Sequence, residues 1–166
     1  TIDIATTTAA DSSSLMKNGT LHNSSTECVG GGCPTWVQGS ECRAGSCISL
    51  DGSNDYIDTT FILNPAIEKG FSAEIWVKLV EAEDYYAILQ QKGVTGRTWL
   101  FYNGDNGKIC SDLFLATYLN CSNKIISLNQ WTHIAVVVNR DTGITKLYVQ
   151  GQLEKADTSL TQIATG

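Results

Sequence analysis

The chain has 166 residues, 42% hydrophobic and 17% charged, with 17 acidic side chains against 11 basic ones and a formal charge of −6. That length suits one domain with a real core, burying roughly 70% of its unfolded surface. The acidic balance excludes a nucleic-acid backbone or an anionic membrane as the main partner, because no basic face is available to release counterions, and no apolar run is long enough for direct membrane insertion.

Residues 1–8 read as a strand, with Ile2 and Ile4 alternating among β-branched neighbours. Residues 9–32 are rich in Ser, Thr, Asn and Gly and read as loop, with one short strand near Gly19 to His22. Pro34 stiffens the exit of a Gly-Gly-Gly loop, and Trp36 and Val37 start a short strand. Residues 46–50 lead into a turn at 51–55, and residues 56–60 form the next strand. Residues 64–69 suit one helical turn, with Asn64 as cap and Pro65 in the first helical position. The clearest alternation lies at 71–79. Phe71, Ala73, Ile75, Val77 and Leu79 share one face; Ser72, Glu74, Trp76 and Lys78 share the other. Strands follow at 85–91 and 98–103, then a hairpin turn Asn103-Gly104-Asp105-Asn106-Gly107, then strands at 108–119 and 124–127. In residues 131–138, Thr132, Ile134, Val136 and Val138 alternate with Trp131, His133, Ala135 and Val137, and both faces are mostly apolar. This is an inner strand covered on both sides. A turn at 139–143, an alternating strand at 144–150 and a tight turn at 150–152 complete a meander. No amphipathic helical period and no long repeat are present, so the fold class is all-β: a two-sheet antiparallel sandwich.

Six cysteines allow 15 pairings. The local set, Cys28/Cys33, Cys42/Cys47 and Cys110/Cys121, closes the shortest loops, and Cys110 and Cys121, in consecutive strand-like segments, are placed to face each other across a hairpin. Each such bond is worth roughly 2–3 kcal/mol in the chain-entropy model. A metal site is the weaker alternative, because the spacings are not C-x₂-C pairs and neither histidine is within ligand spacing. Disulfides place the protein outside the reducing cytosol, and a secreted origin implies a mature form or an excised piece. Three N-x-S/T triplets, at Asn18, Asn23 and Asn120, fit an exposed extracellular surface and are candidate glycosylation sites.

Five stretches occur in one order. They are Asp11-Ser12-Ser13 with Asn18-Gly19-Thr20-Leu21, then Ser49-Leu50-Asp51-Gly52-Ser53-Asn54-Asp55-Tyr56-Ile57, then Phe71-Ser72-Ala73-Glu74-Ile75-Trp76-Val77-Lys78. Ile88-Leu89-Gln90-Gln91-Lys92-Gly93 and the run WTHIAVVVNRDTGITKLYVQGQL from Trp131 to Leu153 complete the set. Together they resemble the laminin-G-like, concanavalin A-like lectin/glucanase jelly-roll family. The resemblance implies a jelly-roll sandwich over residues 9–166, preceded by the strand at 1–8. It says little about function, because this fold serves many. The family's aromatic opening strand and its closing strand find no match here. Either the chain is a fragment or another chain supplies the missing strand. Residues 1–8 pairing with the next subunit would make a homo-polymer, the structural subunit of an extracellular filament or pilus. The bland alternative is an intramolecular edge strand.

Paired carboxylates for glycoside hydrolysis have only Glu74, Glu81 and Glu83 as candidates, without the family's glucanase motif. His133, inside a strand, reads as packed rather than as a base, and His22 as a loop residue. The chain is therefore expected not to be an enzyme. Calcium needs several oxygens on turns. Asp11 matches the family's opening loop, and Asp51 and Asp55 offer a second turn; capping of those turns is the competing role. Carbohydrate binding draws on Trp99 and Tyr102, with Asn103, Asp105 and Asn106 at the adjacent hairpin, while Trp36, Trp76 and Trp131 are assigned to the core. The resulting expectation is a non-catalytic extracellular module for adhesion, binding a glycan or a cell-surface or matrix protein.

Overall fold

A computed structural model describes residues 7–24, 26–28, 32–62, 69–81, 85–91, 97–111 and 120–158. The strands are β1 (Thr8–Ala9), β2 (Gly19–Asn23), β3 (Thr26–Glu27), β4 (Thr35–Gln38), β5 (Ser46–Ser49) and β6 (Asp55–Asp58) in the first compact unit, Thr1–Ile62. The second unit, Leu63–Gly166, carries β7 (Gly70–Lys78), β8 (Tyr85–Gln91), β9 (Arg97–Asn103), β10 (Lys108–Ser111), β11 (Asn120–Ile125), β12 (Trp131–Asn139), β13 (Ile144–Val149) and β14 (Gln152–Asp157).

In the first unit β2 is central. It pairs with β6 on one edge and with β1 and β3 on the other, all antiparallel. β4 and β5 form a separate hairpin. The described buried hydrophobic side chains here are Leu21, Cys28 and Cys42. So small a core needs covalent help, and it has two short-loop disulfides, Cys28–Cys33 and Cys42–Cys47. Of the strand expected at 1–8, residues 1–6 lie outside the described residues. Thr8 pairs with Thr20 and Ala9 with Gly19 within this chain. The helical turn expected at 64–69 also falls outside them, apart from Lys69.

The second unit is an all-β antiparallel sandwich of two four-stranded sheets, ordered β14-β13-β12-β7 and β11-β10-β9-β8. Period-2 alternation aims Ile134, Val136 and Val138 of β12 and Leu147 and Val149 of β13 inward, where they meet Leu100, Tyr102, Ile109 and Ile126. Phe71, Ala73, Ile75, Val77 and Leu79 pack against the same cluster, as their shared face predicts. Each fully buried branched side chain contributes about 1.5–3 kcal/mol, which fixes the register, since a one-residue slip would turn this face to water. At the β7 terminus Gly70 sits opposite Asn139, and a Cβ there would collide with the Val138 carbonyl.

Two expectations are corrected. The strand placed at 124–127 starts at Asn120 and ends at Ile125. Cys121 lies opposite Cys110 across this hairpin and is bonded to it, as their places in consecutive strand-like segments predict. The Ser122 hydroxyl accepts from Ile109 N–H and donates to the Lys124 carbonyl, so the polar residues are held by the ladder itself. The strand at 131–138 is fully buried on one face only. Its other face, with Trp131, His133, Ala135 and Val137, is half-buried.

Candidate functional site

The half-buried side of the β14-β13-β12-β7 sheet carries the most distinctive chemistry. Alternation along β7 turns Ser72, Glu74, Trp76 and Lys78 away from the core. The antiparallel register places Trp76 opposite His133, Lys78 opposite Trp131 and Glu74 opposite Ala135. On the far side of β12, Ala135 is opposite Tyr148 and Val137 opposite Lys146. Tyr148 in turn is opposite Leu153 of β14.

Trp76 is 41% exposed. Its ring lies 5.1 Å from the His133 ring, tilted by 49°. His133 Nε2 is 3.4 Å from Glu74 Oε2, and the Glu74 side chain is 75% exposed. Lys78 Nζ stands 5.7 Å from the centroid of the Trp131 ring, within cation–π range. The Gln150 side chain holds the end of β12, donating to the Trp131 carbonyl at 3.0 Å and accepting from His133 N–H at 3.4 Å. The tight turn at Gln150 and Gly151, with φ of 52° and 73°, brings that side chain back over the strand. The result is an aromatic face of two mutually tilted rings, Trp76 and His133, with an acceptor, Glu74, and a donor, Lys78, on the neighbouring strand positions.

The assignment of Trp76 and Trp131 to the core is therefore a correction. The signal was present in the sequence: Trp76 shares a polar face with Ser72, Glu74 and Lys78. The size of tryptophan argued for burial, and the alternation argued against it. His133 is a packed histidine, as expected, but its charged neighbour is Glu74. Glu81 is exposed, and Glu83 lies outside the described residues.

The hairpin offers less than expected. Tyr102 is 2% exposed and belongs to the core, so it does not meet a ligand. The Asn103 side-chain oxygen accepts from Asp105 N–H at 3.1 Å, and that of Asn106 from Lys108 N–H at 3.1 Å. Both amides cap their own turn. Asp105 is exposed, and the Trp99 side chain lies outside the described set.

The carboxylates proposed for calcium also close turns. Asp11 accepts from Ser13 N–H, the Ser13 hydroxyl and Lys17 N–H at 2.7–2.8 Å. The Ser13 contacts, with Lys17 after them, hold its carboxyl below the usual carboxylate range. Asp51 accepts from Ser53 and Asn54 N–H, which lower it likewise. Asp55 Oδ2 accepts from Asp51 N–H, while burial, with Asp51 beside it, pushes the Asp55 carboxyl up. Asp55 Oδ1 is buried with no hydrogen-bond partner among the described residues. One such oxygen is far short of the ~6–8 that calcium takes. Among the described residues no three His, Cys, Asp or Glu side chains gather as a metal site. These turns do not fit a calcium cradle.

All three local disulfides form. Of the N-x-S/T asparagines, Asn18 is exposed, Asn23 donates its amide to the Gly32 carbonyl, and Asn120 is buried in β11. His22 lies on β2, not in a loop, and stacks on Tyr56 at 4.8 Å.

The family model of the concanavalin A-like lectin/glucanases superfamily matches residues 51–166. The chain belongs to the concanavalin A-like lectin/glucanase superfamily. The matched span covers both sheets of the sandwich and the whole aromatic face; the Asp11 and Asn18 stretches precede it. A comparison with curated proteins finds no match. Within a superfamily of lectins and glucanases, a lectin-like module with three disulfides suggests an extracellular protein, and no described helix is long and apolar enough to cross a membrane.

Proposed function

We propose that this chain is a non-catalytic, extracellular lectin-like module that binds glycan on the outer face of the β14-β13-β12-β7 sheet and serves adhesion at a cell surface. The observation that carries the reading is the exposed Trp76 ring, set on a rigid strand between Glu74 and Lys78. What supports the reading is the company Trp76 keeps: a half-exposed aromatic ring beside the His133 ring, with a carboxylate and an ammonium on the same strand. A sugar ring matches it, because one face of a pyranose is C–H and its rim is hydroxyl: the ring covers the C–H face and the carboxylate and ammonium take the rim.

The same geometry favours binding over hydrolysis. Glycosidases set two carboxyl groups across the scissile bond, about 5–9.5 Å apart. Among the described residues, the ionisable side chain that meets Glu74 is the His133 imidazole at 3.4 Å, not a second carboxylate.

The test is an immobilised glycan panel probed with the native chain, with and without calcium, beside a panel of matrix proteins. Retention of glycans in both conditions is the expected result. A blank glycan panel together with matrix-protein binding would replace this reading with protein recognition. Binding strictly dependent on calcium would count against a site on this face.

A further inference from the structure

Three asparagines precede a glycine: Asn18, Asn103 and Asn106. An Asn-Gly pair can cyclise, because glycine has no side chain to shield the backbone nitrogen that the asparagine faces. The hairpin between β9 and β10 holds two of these pairs in one surface turn, and they differ at the reacting nitrogen. Asn103 Oδ1 accepts from Asp105 N–H at 3.1 Å, and Asn106 Oδ1 accepts from Lys108 N–H at 3.1 Å. Each bond reaches two residues on and folds the side-chain amide back over the next peptide nitrogen. For Asn106 that nitrogen belongs to Gly107, whose N–H already donates to the Asn103 carbonyl at 2.9 Å. For Asn103 it belongs to Gly104, whose N–H has no hydrogen bond among the described residues. Asn18 Oδ1 accepts from Asp11 N–H at 2.9 Å, and the following Gly19 is buried in β2 opposite Ala9.

From this we infer that Asn103 is a spontaneous modification site, which cyclises with Gly104 and opens to isoaspartate and aspartate. The Gly104 nitrogen gives its proton to solvent base and attacks Asn103 Cγ. The carbonyl electron pair moves onto Oδ1, where the Asp105 N–H stabilises it as an oxyanion-hole donor does. The pair then returns, the Cγ–Nδ2 bond breaks, and Nδ2 takes a proton from water and leaves as ammonia. Water adds to either carbonyl of the resulting succinimide. Opening at Cγ gives aspartate; opening at the backbone carbonyl carries the chain through Cβ and Cγ as isoaspartate. Water is the only co-reactant. At Asn106 the same attack first breaks the bond from Gly107 to the Asn103 carbonyl, which slows it roughly five-fold for a hydrogen bond of ordinary net strength. At Asn18 it needs local opening of β2, which makes that site the slowest. Asn103 is the less exposed of the two turn asparagines, so exposure alone would rank them in the opposite order. Isoaspartate would add a charge and lengthen the backbone at the end of β9, where Asn103 lies between Tyr85 and Lys108 in the ladder. The inference is independent of the glycan reading.

The test is timed incubation of the native, unglycosylated chain in warm, mildly alkaline buffer, followed by peptide mapping with isoaspartyl methyltransferase labelling. Asn103 should convert about five-fold faster than Asn106, and Asn18 more slowly than both. In the chain reduced and unfolded in urea, where every pair is free, the three rates should converge to within about two-fold. Gly104, unlike Gly107, does not take a positive φ, so alanine fits the turn there. Gly104→Ala should slow conversion at Asn103 roughly ten-fold, because its Cβ shields the nitrogen, and leave Asn106 and the circular dichroism unchanged. The folded and unfolded maps of the native chain keep the test decisive if that variant fails to fold. Conversion of Asn106 or Asn18 as fast as Asn103 in the folded chain would overturn the inference. So would an unchanged Asn103 in the folded chain over an interval in which the unfolded chain converts.

Discussion

Val136 and Val137 are adjacent on β12 and face opposite ways, which makes them a controlled pair. Val136 is fully buried between Ala73 and Leu147, and Val137 lies between Ser72 and Lys146 on the outer face. Substitution by alanine removes the same atoms at both positions and lowers β propensity equally. At 136 the lost transfer free energy is about 1.6 kcal/mol, at about 0.8 kcal/mol for each of two carbons. A cavity of roughly 50 Å³ that cannot collapse brings the cost to about 2–3 kcal/mol. At 137 little cavity forms, and the cost should stay below about 1 kcal/mol. Urea unfolding followed by circular dichroism reads both, with the slope unchanged so that midpoints report stability alone. Equal losses at the two positions, or a larger loss at 137, would refute the assignment of inner and outer faces and with it the site.

The Cys110–Cys121 bond, between strands with a sequence separation of 11, should contribute about 2–3 kcal/mol. Cys110→Ala/Cys121→Ala should lose that much in urea, and peptide mapping without reductant should recover three local disulfides. The Asp11 carboxyl titrates below its unfolded value. Its contribution to holding the loop at 11–18 is therefore present above the unfolded carboxylate pKa and lost as pH falls through the folded one. Protection factors at Ser13 and Lys17, with the intrinsic pH dependence of exchange divided out, should fall over that acid window in the native chain. Asp11→Asn should abolish the acid step. Secreted from a cell that adds N-glycans, the chain should carry glycan at Asn18 and not at Asn120, whose sequon hydroxyl on Ser122 is buried and doubly bonded. Glycopeptide mass mapping with Asn18→Gln as control checks this, and occupancy of Asn120 would count against the placement of β11.

The strands of the second unit were legible because each has one apolar face, and alternation is a local property. β7, β12 and β13 appear where Phe71 to Leu79 and Trp131 to Gln150 place them. The pairing of Cys110 with Cys121 across a hairpin was legible, but the start of β11 at Asn120 was not, since its polar Asn-Cys-Ser-Asn run is held as strand through the disulfide and the Ser122 hydroxyl bonds. The site was misread for a related reason. Tyr102 looks like a ligand contact beside a polar hairpin, yet its strand turns it inward against Ile109 and Tyr86. Trp76 looks like core, yet its strand turns it outward. The pairing of Trp76 with His133 depends on the β7–β12 register. Residues more than fifty positions apart meet there, and one strand alone does not encode it.

The most direct measurement is titration of glycan retained from the panel into the native chain and into Trp76→Ala, each with a unfolding curve alongside. The account predicts at least a ten-fold loss of affinity in Trp76→Ala while the variant keeps a cooperative unfolding transition, at a stability cost of about 1–2 kcal/mol for the covered part of the ring. Undiminished binding in a folded Trp76→Ala would place the site elsewhere on the molecule and contradict the assignment.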